Sequence, residues 1–245
     1  MSFFLLENER VDDVLLSLKD GVKSGIIQNS DYFCFGIDAV LLAGFAKIKP
    51  NAVVLDLCTG SGIIPIILAV KTKAKHIIGV EIQTNMADMA RRSVSMNGLD
   101  AKIEIINEDI KNYTGKNFNT VICNPPYKEI TGGLVSPNER QAIARTEVCC
   151  TLSDVINAAR DALCPHGSFF MIHRPERITD ILCNMRGAGI EPKIIRFVHS
   201  ATYKSPSLVL IEGIKGANPK AIIQKPLVIY NQDGSYTDEI NMMYN

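Results

Sequence analysis

Strand-like and helix-like segments alternate from residue 52 onward, and this alternation restricts the fold more than any other feature of the sequence. The helices are expected at 63–71, 83–97, 153–163 and 176–185, the third of them capped by Ser153. Apolar runs predict strands at 53–57, 77–81, 102–107, 120–123, 168–173, 193–199 and 207–211. Such a pattern is typical of an α/β protein with a doubly wound, mostly parallel sheet, here of seven strands. No helix separates the last two strands, so we expect them to form an antiparallel hairpin at one edge.

The residues before this pattern form a separate region. Helical spacing of apolar side chains predicts a short amphipathic helix, followed by a turn and a strand-like segment. The helix carries Val11, Leu15, Leu16 and Leu18, the turn covers 19–21 and the strand 25–28. Asp38 precedes a short apolar helix and is predicted to cap it. Since no repeat or linker-like tract appears, 1–245 is expected to be a single domain with 1–48 as an N-terminal extension.

The composition indicates a folded protein with an apolar interior. Hydrophobic residues make up 47% and charged residues 21% of the 245 residues. The longest apolar run, 63–70, is interrupted by Pro65 and is too short to span a bilayer. The first apolar residues lack the basic flank of a signal peptide. We therefore expect a cytoplasmic protein without a membrane-spanning segment.

The cysteine spacing and the net charge argue against several classes of protein. Seven cysteines without C-x-x-C spacing argue against a disulfide framework and against a zinc site, so no metal is expected. The formal net charge is zero. A strongly basic chain would have indicated nucleic-acid binding, so any RNA contact here has to come from a local basic patch.

Asn124, Pro125, Pro126 and Tyr127 follow directly after the predicted strand 120–123. Proline cannot donate to a β-ladder, so the strand ends there, and the residue before proline is held extended. An amide side chain, a backbone carbonyl and an aromatic face together form a receptor for a planar amine with two N–H donors. The alternative is a turn that only closes the strand, because Asn-Pro is an ordinary turn signal.

A glycine-containing turn after the first strand, Thr59-Gly60-Ser61-Gly62, predicts a nucleotide-type site together with Glu81, the acid that ends the second strand. The glycines let the backbone approach a ligand, and Glu81 is placed to accept from both ribose hydroxyls. The spacing differs from the dinucleotide fingerprint G-x-G-x-x-G, and Asp56 reaches into the same place. A carboxylate there would repel a pyrophosphate and favour a cation. An adenosyl ligand that carries an amino acid and a sulfonium meets this requirement.

With Asp109 at the end of the third strand, these motifs resemble the class I S-adenosylmethionine-dependent methyltransferases that modify an exocyclic or amide nitrogen. The resemblance is closer still to the bacterial tRNA (adenine-N6)-methyltransferases that act beside the anticodon of a valine tRNA. It implies a Rossmann-like class I fold, S-adenosylmethionine as cofactor, and N6-methylation of adenine 37. It also implies that 1–48 covers the cofactor site and that 49–245 forms the catalytic core. It extends nearly end to end, through 33–43, 56–62, 79–83, 144–147, 173–177, 212–216 and 236–239.

The resemblance also implies residue roles. The target amine would donate to the Asn124 side-chain oxygen and the Pro125 carbonyl, with Tyr127 stacked on the base, so the catalytic residues would be Asn124, Pro125, Pro126 and Tyr127. Asp56 would hold the cofactor's ammonium, Glu81 its ribose and Asp109 its adenine amino group. The implied cofactor-binding residues are Phe35, Asp56, Thr59, Gly60, Gly62, Glu81, Ile82, Asp109, Ile110 and Asn124.

Cys58 departs from the family pattern, because the wider superfamily usually has the first glycine of the turn at this position. Cysteine does not adopt a positive φ cheaply. The turn is therefore expected to keep an ordinary negative φ at Cys58, and cofactor binding is expected to survive the change.

Basic residues near the same sheet edge are the predicted RNA contacts. The candidates are Arg145, Arg174, Arg177 and Lys204. For each of them the alternative is a solvated surface charge or an ion-pair partner. His173 has no acid–base partner nearby in the sequence and is not predicted to be catalytic.

Three other functions remain open. Protein glutamine N-methyltransferases use the same tetrapeptide to hold a side-chain amide, but they usually carry a separate helical N-terminal domain. A DNA adenine methyltransferase would need a target-recognition domain, and none is evident. A non-catalytic adenosyl-binding partner subunit typically lacks the tetrapeptide that this chain keeps. The chain is expected to act on tRNA as a monomer or weak homodimer.

Overall fold

The structure, a computed structural model, describes residues 4–17, 23–32, 34–127 and 150–244. Its first element is an antiparallel hairpin of β1 (Glu9–Ser17) and β2 (Lys23–Asn29). The helix predicted through Val11 is therefore wrong, whereas the strand-like segment 25–28 lies in β2. Pairing across the hairpin satisfies the backbone groups that face between the two strands, and the outward N–H of Ile27 donates to Ser93 Oγ (2.9 Å). Val14 and Ile26 are buried, so tertiary packing overrides the helical spacing. The turn predicted at 19–21 lies outside the described residues.

A large sheet forms the centre of the molecule. Its seven long strands within the described residues are β3 (Val53–Leu57), β4 (His76–Glu81), β5 (Ile103–Asn107), β6 (Phe118–Cys123), β7 (Leu163–His173), β8 (Ile190–His199) and β9 (Pro206–Lys215). Two short strands, β10 (Ile222–Ile223) and β11 (Leu227–Val228), pair with β8 in addition. The two short strands were not predicted, because two residues carry no periodicity.

The strand order is β10-β8-β9-β7-β6-β3-β4-β5. Strands β3 to β7 run parallel to one another, and β9 lies antiparallel between β7 and β8. The predicted α/β fold, with a mostly parallel sheet and an antiparallel hairpin, is confirmed. Since β8 runs parallel to β7, the carboxyl end of β8 lies at the same sheet edge as the carboxyl ends of β3 to β7.

Helices cover both faces of this sheet. They are α1 (Ile37–Phe45), α2 (Ile63–Lys71), α3 (Thr84–Met96), α4 (Leu152–Ala162), α5 (Ile178–Gly187) and α6 (Asp238–Tyr244). Neighbouring strand residues point to opposite faces: Val54 packs with α1, α2 and α3, while Leu55 packs with α4 and α5. Burial on both faces explains why the strands read as continuous apolar runs. No helix in the described parts of the chain is long and apolar enough to cross a membrane.

Two predicted helix caps are wrong. Asp38 lies inside the first turn of α1, where Gly36 occupies the cap position without a side-chain bond. Ser153 lies inside α4, which is capped instead by Thr151. The Thr151 hydroxyl accepts from the Asp154 N–H (3.2 Å) while Asp154 Oδ2 accepts from the Thr151 N–H (2.9 Å), which is a capping box. The predicted helix 176–185 starts as a short 3₁₀ turn (Pro175–Arg177), and α-helix begins two residues later than predicted, at Ile178.

The carboxyl-terminal residues return to the first helix of the chain. Helix α6 packs on α1, and a Cβ added at Gly44 would lie 2.7 Å from Met243 Cγ. The Lys71 ammonium, at the end of α2, donates to the carbonyl oxygens of Met242 (3.4 Å) and Met243. The end of the chain is thus fixed against the helices that flank the candidate site.

Candidate functional site

Side chains singled out in the sequence meet at the carboxyl edge of the sheet. Strand β3 lies between β4 and β6 and runs parallel to both. Asp56 is the next-to-last residue of β3, Glu81 ends β4, and Asn124 directly follows β6. Asp109 follows β5 by two residues. This is the edge at which open α/β sheets bind ligands.

The turn after β3 has left-handed backbone at three positions. The φ angles are 59° at Cys58, 58° at Gly60 and 86° at Gly62. The expectation that Cys58 keeps a negative φ is therefore wrong. The Thr59 N–H donates to the Val80 carbonyl (3.0 Å). This hydrogen bond fixes the turn against β4 regardless of which residue occupies position 58. A side chain at left-handed φ costs roughly 1–2 kcal/mol, and this turn bears that cost at Cys58.

Asp56 is fully buried and carries an unsatisfied oxygen. Its Oδ2 accepts from the Thr59 hydroxyl (2.5 Å), whereas Oδ1 has no hydrogen-bond partner among the described residues. Burial raises the pKa of Asp56 to about 8; the charge of Glu81 adds to this shift and the Thr59 hydrogen bond opposes it. An orphaned carboxylate oxygen in an apolar setting is satisfied best by a cationic hydrogen-bond donor.

Glu81 is held rigidly at the end of β4. It is 4% exposed, and its two carboxylate oxygens accept from the backbone N–H groups of Gly60 and Gln83, both at 2.9 Å. Burial raises the pKa of Glu81 against the lowering effect of these hydrogen bonds. Each oxygen retains a second lone pair, so a pair of neighbouring hydroxyls is a suitable ligand.

The residues next to Glu81 differ in exposure. Ile82 is 39% exposed, although it directly follows the buried acid Glu81, whereas Ile110 is buried. Asp109 Oδ1 accepts from the Lys111 N–H (2.9 Å), and Oδ2 lies 3.3 Å from the Lys111 ammonium. The Asp109 carboxylate thus already pairs with a neighbouring cation.

Phe35 is positioned by the N-terminal hairpin. Its backbone N–H donates to Gln28 Oε1 (2.8 Å), and the Gln28 amide in turn donates to Asp12. The side chain of Phe35 packs against the core on the α1 face. The hairpin therefore fixes the segment that enters α1. Residue 33 lies outside the described residues.

Tyr127 is surrounded by polar and charged neighbours. Its hydroxyl donates to Asn124 Oδ1 and lies 3.2 Å from Asp38 Oδ2. The ring makes an edge contact with His173, with centroids 5.2 Å apart, and the Arg174 guanidinium lies 5.6 Å above its centroid. These contacts fix the ring at the end of the tetrapeptide.

His173 and Asp38 are site neighbours that the sequence analysis did not assign to the site. Burial, together with the positive charge of Arg177, lowers the pKa of His173 to about 4, so the ring is neutral at physiological pH. Its Nδ1 accepts from the Arg174 N–H (2.8 Å). The available signal for His173 was its place at the carboxyl end of a strand. For Asp38 the capping pattern concealed the contact with Tyr127.

The predicted RNA contacts lie in different surroundings. Arg174 also donates to the Ser207 carbonyl (3.3 Å) at the start of β9. Arg177 forms an ion pair with Asp180 (2.8 Å). Arg145 lies outside the described residues.

Lys204 lies in the exposed connection between β8 and β9, at the carboxyl edge of the sheet where Asn124 follows β6. Its carbonyl oxygen is 2.6 Å from His199 Nδ1. The adjacent Tyr203 is 80% exposed. Tyr230 reaches the same connection, since its N–H donates to the Ser200 carbonyl (3.0 Å). Sequence analysis did not single out either tyrosine.

The described side chains of the candidate site do not form a metal-binding site. In the parts of the chain that the structure describes, no three His, Cys, Asp or Glu side chains are grouped closely enough to hold an ion.

Comparison with known proteins identifies a family and named relatives of this chain. The family described as "Methyltransferase small domain" matches residues 36–182. The tRNA1(Val) (adenine(37)-N6)-methyltransferase of Mannheimia succiniciproducens is 31% identical over 83% of this chain and 83% of its own. The protein of the same description from Aeromonas hydrophila is 26% identical over 83% of this chain and 85% of its own.

The fold has close counterparts among solved structures. A predicted O-methyltransferase from Agrobacterium tumefaciens superposes with a TM-score of 0.70 at 22% identity, covering 85% of this chain and 95% of the other. A class I S-adenosylmethionine-dependent methyltransferase from Listeria monocytogenes gives a TM-score of 0.57 at 13% identity, covering 81% and 67%. Membership of a methyltransferase domain family implies S-adenosylmethionine as the cofactor. The chain belongs to the methyltransferase small domain family.

Proposed function

We propose that this protein is an S-adenosylmethionine-dependent N-methyltransferase that methylates the exocyclic amine of an adenine in tRNA. The observation that carries the proposal is the position of Asn124 directly after β6, beside β3, whose next-to-last residue is the buried acid Asp56. The amine-holding tetrapeptide and a site suited to a cationic adenosyl ligand thus share one sheet edge. The bound cofactor supplies the methyl group from a sulfonium.

The residues around the turn fit this cofactor. The unpartnered Asp56 Oδ1 is suited to the ammonium of the methionine part. Gly60 and Gly62 lie with Thr59 in the turn between β3 and α2. They let the backbone follow the methionine part of the cofactor closely. Glu81 has lone pairs left for the ribose hydroxyls. We assign the exposed side chain of Ile82 to one face of the adenine ring.

Three further residues complete the proposed cofactor site. Ile110 lies beside the proposed adenine position, and Asp109 accepts from the adenine amino group while keeping its contact with Lys111. Phe35 runs alongside the methionine part, and its anchoring by Gln28 supports a covering role for the N-terminal extension.

Positioning is the main catalytic contribution of the acceptor site. The adenine amine is a weak nucleophile because its lone pair is shared with the ring. Donation of its two N–H groups to Asn124 Oδ1 and the Pro125 carbonyl favours a tetrahedral nitrogen with the lone pair aimed at the methyl group. Pro126 keeps the segment rigid, and the base stacks on Tyr127 after it has been unstacked from its loop. No strong base is required, because the nitrogen becomes acidic once methylated, and neutral His173 is consistent with this.

The acceptor is proposed to be RNA because of the surface around the site. Arg174, Tyr203, Lys204 and Tyr230 lie along the same sheet edge; we call them the strand-end surface. Cations that pair with phosphates and aromatic faces that stack on bases are the two elements of single-strand recognition. We include Arg145 and Arg177 among the RNA contacts on the basis of the sequence alone.

The names of the relatives narrow the acceptor further. Proteins from Mannheimia and Aeromonas described as tRNA1(Val) (adenine(37)-N6)-methyltransferases align over more than four fifths of this chain. We therefore propose adenine 37 of a valine tRNA as the target, which places the enzyme in the cytoplasm with its substrate.

Incubation with methyl-labelled S-adenosylmethionine and total bacterial tRNA tests the proposal. After digestion to nucleosides, we expect label in N6-methyladenosine, and less label, by on the order of 10²-fold or more, with the Asn124→Ala protein. Parallel incubations with DNA and with a protein extract provide the competing acceptors. Label in glutamine or DNA adenine rather than tRNA, or no transfer to any acceptor, would contradict the assignment.

A further inference from the structure

One hydroxyl group, that of Tyr127, lies within hydrogen-bonding reach of two acceptors. It donates to Asn124 Oδ1 and is 3.2 Å from Asp38 Oδ2. A hydroxyl carries a single proton, so a strong bond to one acceptor weakens the bond to the other. Burial, with the charge of Asp38 adding to it, raises the pKa of Tyr127, so the hydroxyl retains this proton. The amide and the carboxylate therefore compete for it.

This competition matters because Asn124 Oδ1 is the proposed acceptor for the substrate amine. An amide oxygen has two lone pairs and can accept from two donors, but each hydrogen bond withdraws electron density from the same oxygen and so weakens the other. While Tyr127 donates to Asn124, the oxygen is a poorer acceptor for the amine. The hydroxyl has to leave Asn124 for the acceptor to work at full strength.

We propose that Asp38 is a positioning residue that takes over the Tyr127 hydroxyl when the substrate amine enters, and so frees Asn124 Oδ1. The inference rests on the proposed function. A hydrogen bond to a carboxylate is roughly twice as strong as one to a neutral acceptor, which gives Asp38 the advantage once the amine competes for Asn124. Rotation about the Tyr127 C–O bond is sufficient, because both acceptors are already in place.

The surroundings hold both partners still during this exchange. Asp38 Oδ1 accepts from the Ala39 N–H (3.0 Å), which leaves Oδ2 for Tyr127. A Cβ at position 36 would lie 2.9 Å from Asp38 Oδ1, so Gly36 provides the space for this carboxylate. On the other side, His173 Nδ1 is occupied by the Arg174 N–H, so it does not compete as an acceptor.

A double-mutant cycle on the full chain tests the proposal. The proteins are the wild type, Asp38→Ala, Tyr127→Phe and the double variant. In the wild-type background we expect Asp38→Ala to lower kcat about tenfold, the effect of about one hydrogen bond, with KM for S-adenosylmethionine unchanged. In the Tyr127→Phe background there is no hydroxyl to withdraw, and the loss is expected to fall below about twofold.

A positioning role predicts that the loss of kcat in Asp38→Ala depends on the Tyr127 hydroxyl, whereas a structural role predicts the same loss with and without it. An equal loss in both backgrounds, or no loss with Tyr127 intact, overturns the proposal. Asp38→Asn keeps an acceptor oxygen and is expected to recover part of the rate. If Asp38→Ala proves unstable in thermal unfolding, the same cycle with Asp38→Asn, which preserves the shape of the side chain, decides.

A second measurement needs no methyl acceptor. In protein labelled with ¹⁵N, we expect Asp38→Ala to shift the side-chain amide resonances of Asn124, and Tyr127→Phe to abolish that shift. An unchanged resonance, or the same shift in both backgrounds, overturns the proposal. If the labelling experiment finds glutamine as the acceptor, the tRNA assignment fails. The double-mutant cycle is then run with the glutamine acceptor, and it still tests the role of Asp38.

Discussion

Arg196 and Glu239 form a two-pronged ion pair, with nitrogen–oxygen distances of 2.7 and 2.8 Å, that joins β8 to α6. The Arg196 side chain is only 8% exposed, whereas that of Glu239 is 44% exposed. The Arg196 guanidinium also donates to the Lys225 carbonyl (3.1 Å). This pair fastens the carboxyl-terminal helix, which in turn packs on α1 next to the candidate site.

Loss of the Arg196 partner is expected to destabilise the protein moderately. Glu239→Gln should lower the free energy of unfolding by about 1–2 kcal/mol, because a buried guanidinium loses its charged acceptor while solvent screens the exposed side of the pair. Urea denaturation provides the measurement. Asp238→Asn, one residue earlier, is the matched control. An equal effect in both variants would contradict a specific role for the pair.

The same ion pair predicts a response to acid. The hydrogen bond from Arg196 lowers the pKa of Glu239 below its ordinary value. The resulting stabilisation is present above the pH at which Glu239 titrates in the unfolded chain, and it is lost as the pH falls through the folded-state pKa. The stability difference between wild type and Glu239→Gln should therefore shrink on acidification. A difference that stays constant down to low pH would contradict this.

Asn124→Ala is expected to separate chemistry from cofactor binding. Its kcat should fall on the order of 10²-fold or more, because the amine loses its orienting acceptor, with little change in affinity for S-adenosylmethionine. Single-turnover methyl transfer and calorimetric cofactor titration measure the two quantities. Asn157→Ala, on the surface of α4, is the control substitution. Near-normal turnover in Asn124→Ala would remove the tetrapeptide from the mechanism.

Asp56 is expected to make cofactor binding depend on pH. Because its pKa is raised to about 8, binding of a cationic ammonium below that pH has to release a proton, and affinity should rise with pH up to about 8. Calorimetry in buffers of different ionisation enthalpy detects this proton. Asp56→Asn should weaken binding about 10- to 100-fold and remove the pH dependence. Wild-type affinity that is independent of pH would refute the ammonium contact.

The same raised pKa has a consequence for the protein without its cofactor. The unfolded chain releases the Asp56 proton near 3.8, whereas the folded chain keeps it up to about 8. The unfolded state thus binds fewer protons across this window, and the Asp56 contribution to stability declines as pH rises through it. Asp56→Asn should flatten this part of the stability profile.

Cys58 is expected to respond in opposite directions to glycine and valine. Its φ of 59° lies in the left-handed region. Cys58→Gly should change the free energy of unfolding by between zero and a gain of about 1 kcal/mol, because relief of strain exceeds or balances the added freedom of the unfolded chain. Cys58→Val should lose at least about 1 kcal/mol, since branching makes this φ costlier. Equal urea midpoints for both variants would argue against strain.

The strand-end surface is expected to bind tRNA through two separable effects. Lys204→Ala should weaken tRNA binding and reduce the salt dependence of the logarithm of affinity by about one unit of slope. Tyr203→Ala should weaken binding by about 1–3 kcal/mol without changing that slope, while Tyr203→Phe should bind normally. Filter binding across salt concentrations distinguishes the two. Unchanged affinity in both alanine variants would exclude this surface.

Local sequence patterns predicted the strands of the sheet, but they failed at positions whose conformation depends on residues distant in the sequence. The strand before Asn124 was predictable because two prolines end it. The location of Glu81 and Asp56 at one sheet edge was predictable because the carboxyl ends of parallel strands meet at the same edge. The N-terminal hairpin was not predictable, because local helical spacing was overridden by pairing with β2. The positive φ of Cys58 comes from the anchoring of the turn on β4, and the contact of Asp38 with Tyr127 joins segments far apart in sequence. The only sequence signal for the first is the glycine that the wider superfamily usually has at the position of Cys58, and the second has no local signature.

The position of β9 between β7 and β8 has a consequence for synthesis of the chain. On the ribosome, β8 emerges before β9, yet β8 joins the sheet only through β9. Until residues 206–215 appear, the apolar strand β7 presents an unpaired edge, which is a template for association with other nascent chains. Assembly of this sheet is thus delayed to a late stage of translation, and slowing of translation just before β9 should increase the demand for chaperones.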